Sequence, residues 1–365
     1  VPPPTALTVT TLADSGPGSL REAVQLIAPD GIITFDPGLA GGTVALTSGQ
    51  LVIDRNLTID GSGAPGLTVS GSNASRVFEI AAGTTANLNN LIIADGAGAP
   101  QGGGILNFGT LNLDFVTVTN NIESSTGAAS FELGGGGIYN GDGATLNMTN
   151  STVSNNSTLG QPGGGIYGFF NSTINLTNST VSGNVAGDVA GGLRTLGNVN
   201  ISNSTISNNT STAWHGGGMF STDGTITVLN STITGNSAPG GTAGGLMVAT
   251  FGAPVSFSLQ NSIVADNGSY NCQVEGGPSV AVLSSLGNNL VTDGSCASTG
   301  SDIVVGSGAA GVAPLADNGG PTLTQALIAG SPGIDAANTA VCPAADQRGI
   351  LRDAACDIGA FEFVP

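Results

Sequence analysis

Two glycines followed by an apolar residue recur along this chain at a nearly constant interval, and that recurrence limits the fold more than any other feature. The step stands at Gly103-Gly104-Ile105, Gly136-Gly137-Ile138, Gly164-Gly165-Ile166, Gly191-Gly192-Leu193, Gly217-Gly218-Met219 and Gly244-Gly245-Leu246, the apolar residue advancing by 33, 28, 27, 26 and 27 positions. Between the steps lies a second element: residues 174–184 are matched by 146–156, 199–209, 226–236 and 257–267, with a degenerate copy over 86–96. Within each unit apolar residues alternate with Thr, Ser and Asn, the period of a strand with one buried face. A unit of about 27 residues holds three short strands and no helical crossover. It cannot bury its own apolar face, so neighbours must stack.

Stacked three-strand coils predict an all-β chain, a right-handed parallel β-helix. Inward positions then align in columns about 4.8 Å apart: Leu146, Ile174, Val199, Ile226 and Phe257 in one, Val153, Val181, Ile206, Ile233 and Val264 in another. Two columns of Asn accompany them. One is Asn150, Asn178, Asn203, Asn230 and Asn261; the other is Asn156, Asn184, Asn209, Asn236 and Asn267. Stacked amides donate to the coil on one side and accept from the coil on the other, which makes both columns structural ladders. The Gly pairs are expected to supply positive φ at a crowded corner.

An open solenoid exposes core and strand edges, so its ends need covers. Ser19-Leu20-Arg21-Glu22 reads as a capping box, followed by apolar residues at helical spacing: a short helix over the first coil. Before it, Val1 to Thr11 combine a Pro-rich lead with an alternating strand, Leu7, Thr8, Val9, Thr10 and Thr11. That strand either docks on a neighbouring subunit, as an assembly strand, or lies on its own first coil. The expected divisions are 1–43 for the N-terminal strand and capping helix, 44–267 for the parallel β-helix coils, and 268–365 for irregular C-terminal coils and a cap with the charged candidates Asp346, Arg348, Arg352 and Asp357. All four cysteines, Cys272, Cys296, Cys342 and Cys356, fall in that last part. Four cysteines permit three connectivities, and locality favours Cys272–Cys296 and Cys342–Cys356. Disulfides and an opening without a charged leader fit a mature chain outside the cytoplasm.

Composition removes whole classes of function. Lys and Arg together number 6 against 24 Asp and Glu, a net charge of −18, so a nucleic-acid partner is excluded. No apolar run reaches the roughly 18 residues that span a bilayer, so membrane insertion is not expected.

Gly18-Ser19-Leu20-Arg21-Glu22-Ala23 resembles the motif of the CSLREA-domain family of secreted bacterial proteins, with Gly18 in place of its Cys. The stretch from Leu315 to Thr324, with Ser331-Pro332, Asp346-Gln347-Arg348-Gly349 and Asp357 to Glu362, resembles the choice-of-anchor Q domain, with Gln325 where that family usually has His. The repeats between are similar to those of polymorphic outer-membrane proteins. These resemblances imply a secreted or surface-displayed β-helix, often followed by an anchor, and bring no agreed catalytic residues.

Other parallel β-helices cleave pectin, so an enzyme must be weighed. Lyases of that kind need an Arg or Lys base beside Ca²⁺-binding carboxylates, and the regular coils hold only Arg194, which reads as an exposed turn residue. The coil carboxylates Asp114, Glu123, Glu132, Asp142, Asp188, Asp223 and Asp266 share no coil position, so no acid–base pair stacks. Trp214-His215 reads as turn filling or an assembly contact ahead of a sugar contact. No cofactor is implied beyond adventitious Ca²⁺ on an acidic surface. The expected function is therefore a non-catalytic extracellular structural protein: a cell-surface, fibre or adhesin subunit that associates with itself through the N-terminal strand or the β-helix ends. The alternative is a carbohydrate-active or glycan-binding β-helix acting on a surface glycan.

Overall fold

The structure is a computed structural model that describes residues 2–98, 100–250, 254–276, 281–296 and 299–364; Val1, at the head of the expected assembly strand, lies outside them. One coil conveys the whole. Thr173–Thr177 runs along one wall, the chain turns at Asn178, and Thr180–Ser182 forms the second wall. After Gly183-Asn184 comes the two-residue strand Val185–Ala186, then a loop, then the third wall Leu193–Thr195. Repetition builds an 11-stranded sheet A, an 11-stranded sheet B, a 9-stranded sheet C and a short 5-stranded sheet D between B and C.

Neighbouring strands pair in parallel with like residues in register, as the repeat requires. Leu146 lies on Ile174, then Val199, Ile226 and Phe257; Val153 lies on Val181, Ile206, Ile233 and Val264. Their inward side chains belong to a single core running from Val9 to Cys296. The chain is a parallel β-helix.

The two Asn columns do different work. Asn156, Asn184, Asn209, Asn236 and Asn267 are buried, and each Nδ2 reaches the Oδ1 of the next at 2.9–3.0 Å. The same Oδ1 atoms accept the backbone N–H of the preceding column member. Asn121 extends this ladder and Asn271 ends it. Asn150, Asn178, Asn203, Asn230 and Asn261 instead hold φ between 44° and 50° at the corner between sheets A and B. Asn tolerates this left-handed conformation better than other side-chain-bearing residues. Amide contacts in that column are partial: Asn178 to Asn150 at 3.4 Å and Asn261 to Asn230 at 3.2 Å.

The Gly pairs also act differently from expectation. Positive φ falls on the residue before five of the six pairs, at Gly102, Gly135, Gly163, Ala190 and Gly216. The pairs themselves are excluded from bearing a side chain by contact: a Cβ on Gly136 would lie 2.3 Å from Ser157 O and 2.4 Å from Gly164 O.

At the N-terminal end the helix Leu20–Leu26 seals the core with Leu20 and Val24, and Ser19 caps it by accepting the Glu22 N–H at 3.2 Å. The Glu22 carboxylate reaches back to the Gly18 N–H at 2.6 Å. The strand Ala6–Val9 pairs in parallel with Gly31–Phe35 of its own chain, the second of its two expected dockings, while Thr10 and Thr11 lie beyond the strand. Coil strands begin at Gly31, ahead of residue 44, and less regular ones follow residue 267 at Ala281–Ser285, Leu290–Val291 and Ile303–Val304.

Each buried ladder amide accepts a backbone N–H at the corner. Asn209→Ala would leave the Asn184 N–H unpaired and remove a second donor from the Val181 carbonyl. The expected cost is about 3 kcal/mol in denaturant unfolding, against under about 1 kcal/mol for Asn200→Ala on the exposed face of sheet A.

Candidate functional site

The C-terminal segment does not cap the end of the solenoid. It folds back as a strap along the outer face of sheet B. Gln347 Nε2 donates to Thr180 Oγ1 and Thr322 Oγ1, each at 2.8 Å, while its Oε1 accepts from Thr205 Oγ1 at 2.6 Å. Asn203 Nδ2 reaches Ala345 O at 2.6 Å, the Ala360 N–H reaches Thr232 Oγ1 at 3.1 Å, and Asn338 and Asn261 exchange bonds at 2.8 and 3.1 Å. Gln325, standing where the resembled family has His, accepts from Thr234 Oγ1. Under the strap Thr180, Thr205, Thr232, Ser207 and Thr234 are buried, whereas Thr152 and Ser154 on the bare face are only half-buried.

The charged candidates hold this strap together. Arg348 pairs with Asp346 at 2.7 Å and its guanidinium lies 3.5 Å from the Phe361 ring centroid. Arg352 pairs with Glu362 at 2.9 Å and reaches Asn203 Oδ1 at 3.2 Å. Asp357 gives Arg352 only its backbone carbonyl; its carboxylate accepts the Asp335 and Phe363 N–H groups. Both disulfides follow the local pairing. Cys342–Cys356 closes part of the strap, and Cys272–Cys296 lies in the main core near its C-terminal end. They mark an oxidising environment.

Sheet C carries a second feature, at the residue after each Gly-Gly-apolar step. Leu106, Tyr139, Tyr167, Arg194, Phe220 and Met247 stack in register, and all are buried beneath loops. The Tyr139 and Tyr167 rings lie 5.2 Å apart, and the Tyr167 hydroxyl donates to Phe131 O. A fixed sequence offset marked this column, but its members differ too much in chemistry to read as one set. Arg194 is therefore not an exposed turn residue. It is 4% exposed, lies 4.6 Å from the Phe220 ring centroid and donates to Thr195 O, Phe220 O and Thr222 Oγ1. Trp214 is 56% exposed, and His215 Nδ1 accepts the Thr242 N–H at 3.1 Å. The pair sits on a loop at the margin of sheet C.

Every guanidinium is engaged. Arg21 pairs with Asp14 at 2.7 Å, Arg55 with Asp54 at 2.9 Å, and Arg76 donates to Gln50 Oε1, Gln101 O and Gly102 O. The sequence has no Lys. The coil carboxylates stay dispersed: Asp114 accepts from Asn150, Asp142 from Asn171, and Asp266 from Ser307 and Gly308. Among the described residues no group of three or more His, Cys, Asp or Glu could hold a metal ion. Glu123 is fully buried, with Oε1 accepting the Ser125 N–H at 2.8 Å and no partner on Oε2.

No protein-family profile and no curated protein matches the chain. Among solved structures it is similar to the crystal structure of pectate lyase Pel9A, at 14% identity and a TM-score of 0.54 over 98% of this chain and 96% of that one. That likeness is one of fold: a β-helix of comparable extent.

Burial raises the pKa of Glu123, Asp188 and Asp357, the last to about 6 despite the backbone N–H groups it accepts. A carboxyl whose folded pKa exceeds its unfolded value binds its proton more tightly when folded. Stability should therefore rise as pH falls from 7 through 6 towards 4. Thermal unfolding across that range is the measurement, and Asp357→Asn should flatten the rise. Asp14 acts oppositely at lower pH. Burial resists its charge, but hydrogen bonds from Ser48, Arg21 and Thr47 outweigh it and hold the pKa at about 2.

Proposed function

We propose that the chain is a non-catalytic extracellular structural protein, a β-helix rod of a cell surface or self-assembling fibre. The observation that carries this reading is the employment of every guanidinium in holding the fold. Arg194, the one basic residue of the regular coils, is buried and donates to its own walls, and the other arginines tie down the first coils or the strap. A lyase acting on acidic polysaccharide needs a basic side chain, not tied up in the fold, that can take a proton in its neutral form beside carboxylates that bind a metal cation. Long ladders, a strapped flank and disulfides instead favour persistence outside the cell. The resemblance to secreted and surface-displayed modules points the same way.

A glycan-binding reading has one observation in its favour, the exposed Trp214 at the margin of sheet C, since a flat indole stacks on sugar rings. The fold shared with a pectate lyase makes acidic polysaccharide the first ligand to try.

The test is incubation with polygalacturonate, pectin and neutral polysaccharides, with and without Ca²⁺, following unsaturated product by absorbance and reducing ends by colorimetry. The expected result is no turnover above a heat-denatured control. Turnover that co-purifies with the protein would overturn the structural reading. Retention on a glycan column lost in Trp214→Ala would replace it with binding.

A further inference from the structure

The two ends of this solenoid are built differently. At the first coil the helix Leu20–Leu26 covers the core, and Leu20 and Ile27 are fully buried. Beside it Ala6–Val9 is the terminal strand of sheet A. Its Thr5 and Val9 carbonyls accept from Ile32 and Asp36, so the backbone groups of Ala6 and Thr8 point the other way, along the axis and out of the molecule. At the last coil, among the described residues, no helix lies over the core. Ala281–Ser285 ends sheet A and Tyr270–Glu275 ends sheet C; among the described residues no further strand pairs with either, although Ser295 Oγ takes the Cys272 N–H. Val274 is in register with the fully buried Val248, yet it is 40% exposed. Leu283, in register with the buried Phe257, is only partly covered.

We infer that the C-terminal end of the solenoid takes the N-terminal end of a second copy of this chain, with Ala6–Val9 adding in parallel to the free edge of Ala281–Ser285. The inference rests on the structural reading above and supplies its partner. Continuity of the sheet decides the occupant. Sheet A is all-parallel and stops on a free edge at both ends of one molecule, so a copy displaced along the axis presents a strand of the required direction and twist. It also brings the helix lid, with Leu26 51% exposed on its outside, over Val274 and Leu283. Such a contact is heterologous and does not close, so it propagates into a filament. Each copy carries a net charge of −18, so filaments form more readily as salt rises. Screening shortens the Debye length from about 10 Å at 0.1 M to about 3 Å at 1 M and leaves the backbone and apolar contacts in place.

The test is sedimentation velocity and negative-stain microscopy of the full chain at low and high NaCl. It is run beside Thr8→Pro, which removes an outward N–H, and Val274→Lys, which charges the open end. Circular dichroism and melting confirm that each variant is folded. The wild type should form rods in multiples of one solenoid length. Either variant alone should need about tenfold more protein to associate, the effect of losing about 1.4 kcal/mol from the joint. An equimolar mixture of the variants should give dimers, because each keeps one intact end. A monomeric wild type at high salt, or a mixture that stays monomeric, would overturn the inference. So would Thr8→Pro dimers with monomeric Val274→Lys, the sign of tail-to-tail pairing. Polysaccharide turnover alongside filaments would instead remove the non-catalytic reading and leave the joint standing.

Discussion

A sharp corner in a stacked coil leaves backbone groups facing inward with nothing from the next coil to meet them. Burying such a group unpaired costs about 1–3 kcal/mol, and the cost returns at every turn of the helix. The Asn121–Asn271 ladder removes it with one side chain per coil, because an amide donates and accepts in opposite directions. Serines do the same at the neighbouring corner, where Ser179, Ser204, Ser231 and Ser262 each accept the N–H of the preceding coil's serine. With corners satisfied, strands on all sides can stay in register, and register in turn places apolar on apolar through the core.

That dependence explains what was readable. The interval between Gly-Gly steps and the alternation of Ile174, Leu176 and Val181 with polar residues are consequences of stacking, so they name the coil, its walls and its inward columns. The cysteine pairs were readable because each closes a short loop. The strap was not. Its contacts join residues such as Gln347 and Ser179, separated by 168 positions, and they occur once each rather than once per coil. Periodicity cannot report a contact that does not repeat. Asp346, Arg348, Arg352 and Asp357 were recognisable as a cluster, but their partner Glu362 and their place on the flank of sheet B follow only from the folded chain.

Arg194 illustrates the same limit in a single residue. An arginine after two glycines resembles a surface turn, because such side chains are rarely buried. Here it occupies the rung between Tyr167 and Phe220, where its guanidinium lies over the Phe220 ring and its N–H groups find carbonyls. The column imposes a shape, flat and long, and Arg meets that shape. Exposed Trp214 lies outside it and so keeps a free face.

A bare solenoid behaves as a row of dominoes: each repeat senses only its neighbours, and fraying travels inward from either tip. The strap changes that connectivity, since it leaves the last coil and is bonded to walls as far back as Thr180. Loosening the final turn must now wait until a belt across several earlier turns lets go. The coils beneath the belt therefore melt as one block, while those before Asn178 remain free to open singly. The molecule carries two mechanical regimes along one axis, a riveted half and a supple half, and amide exchange would draw the border between them.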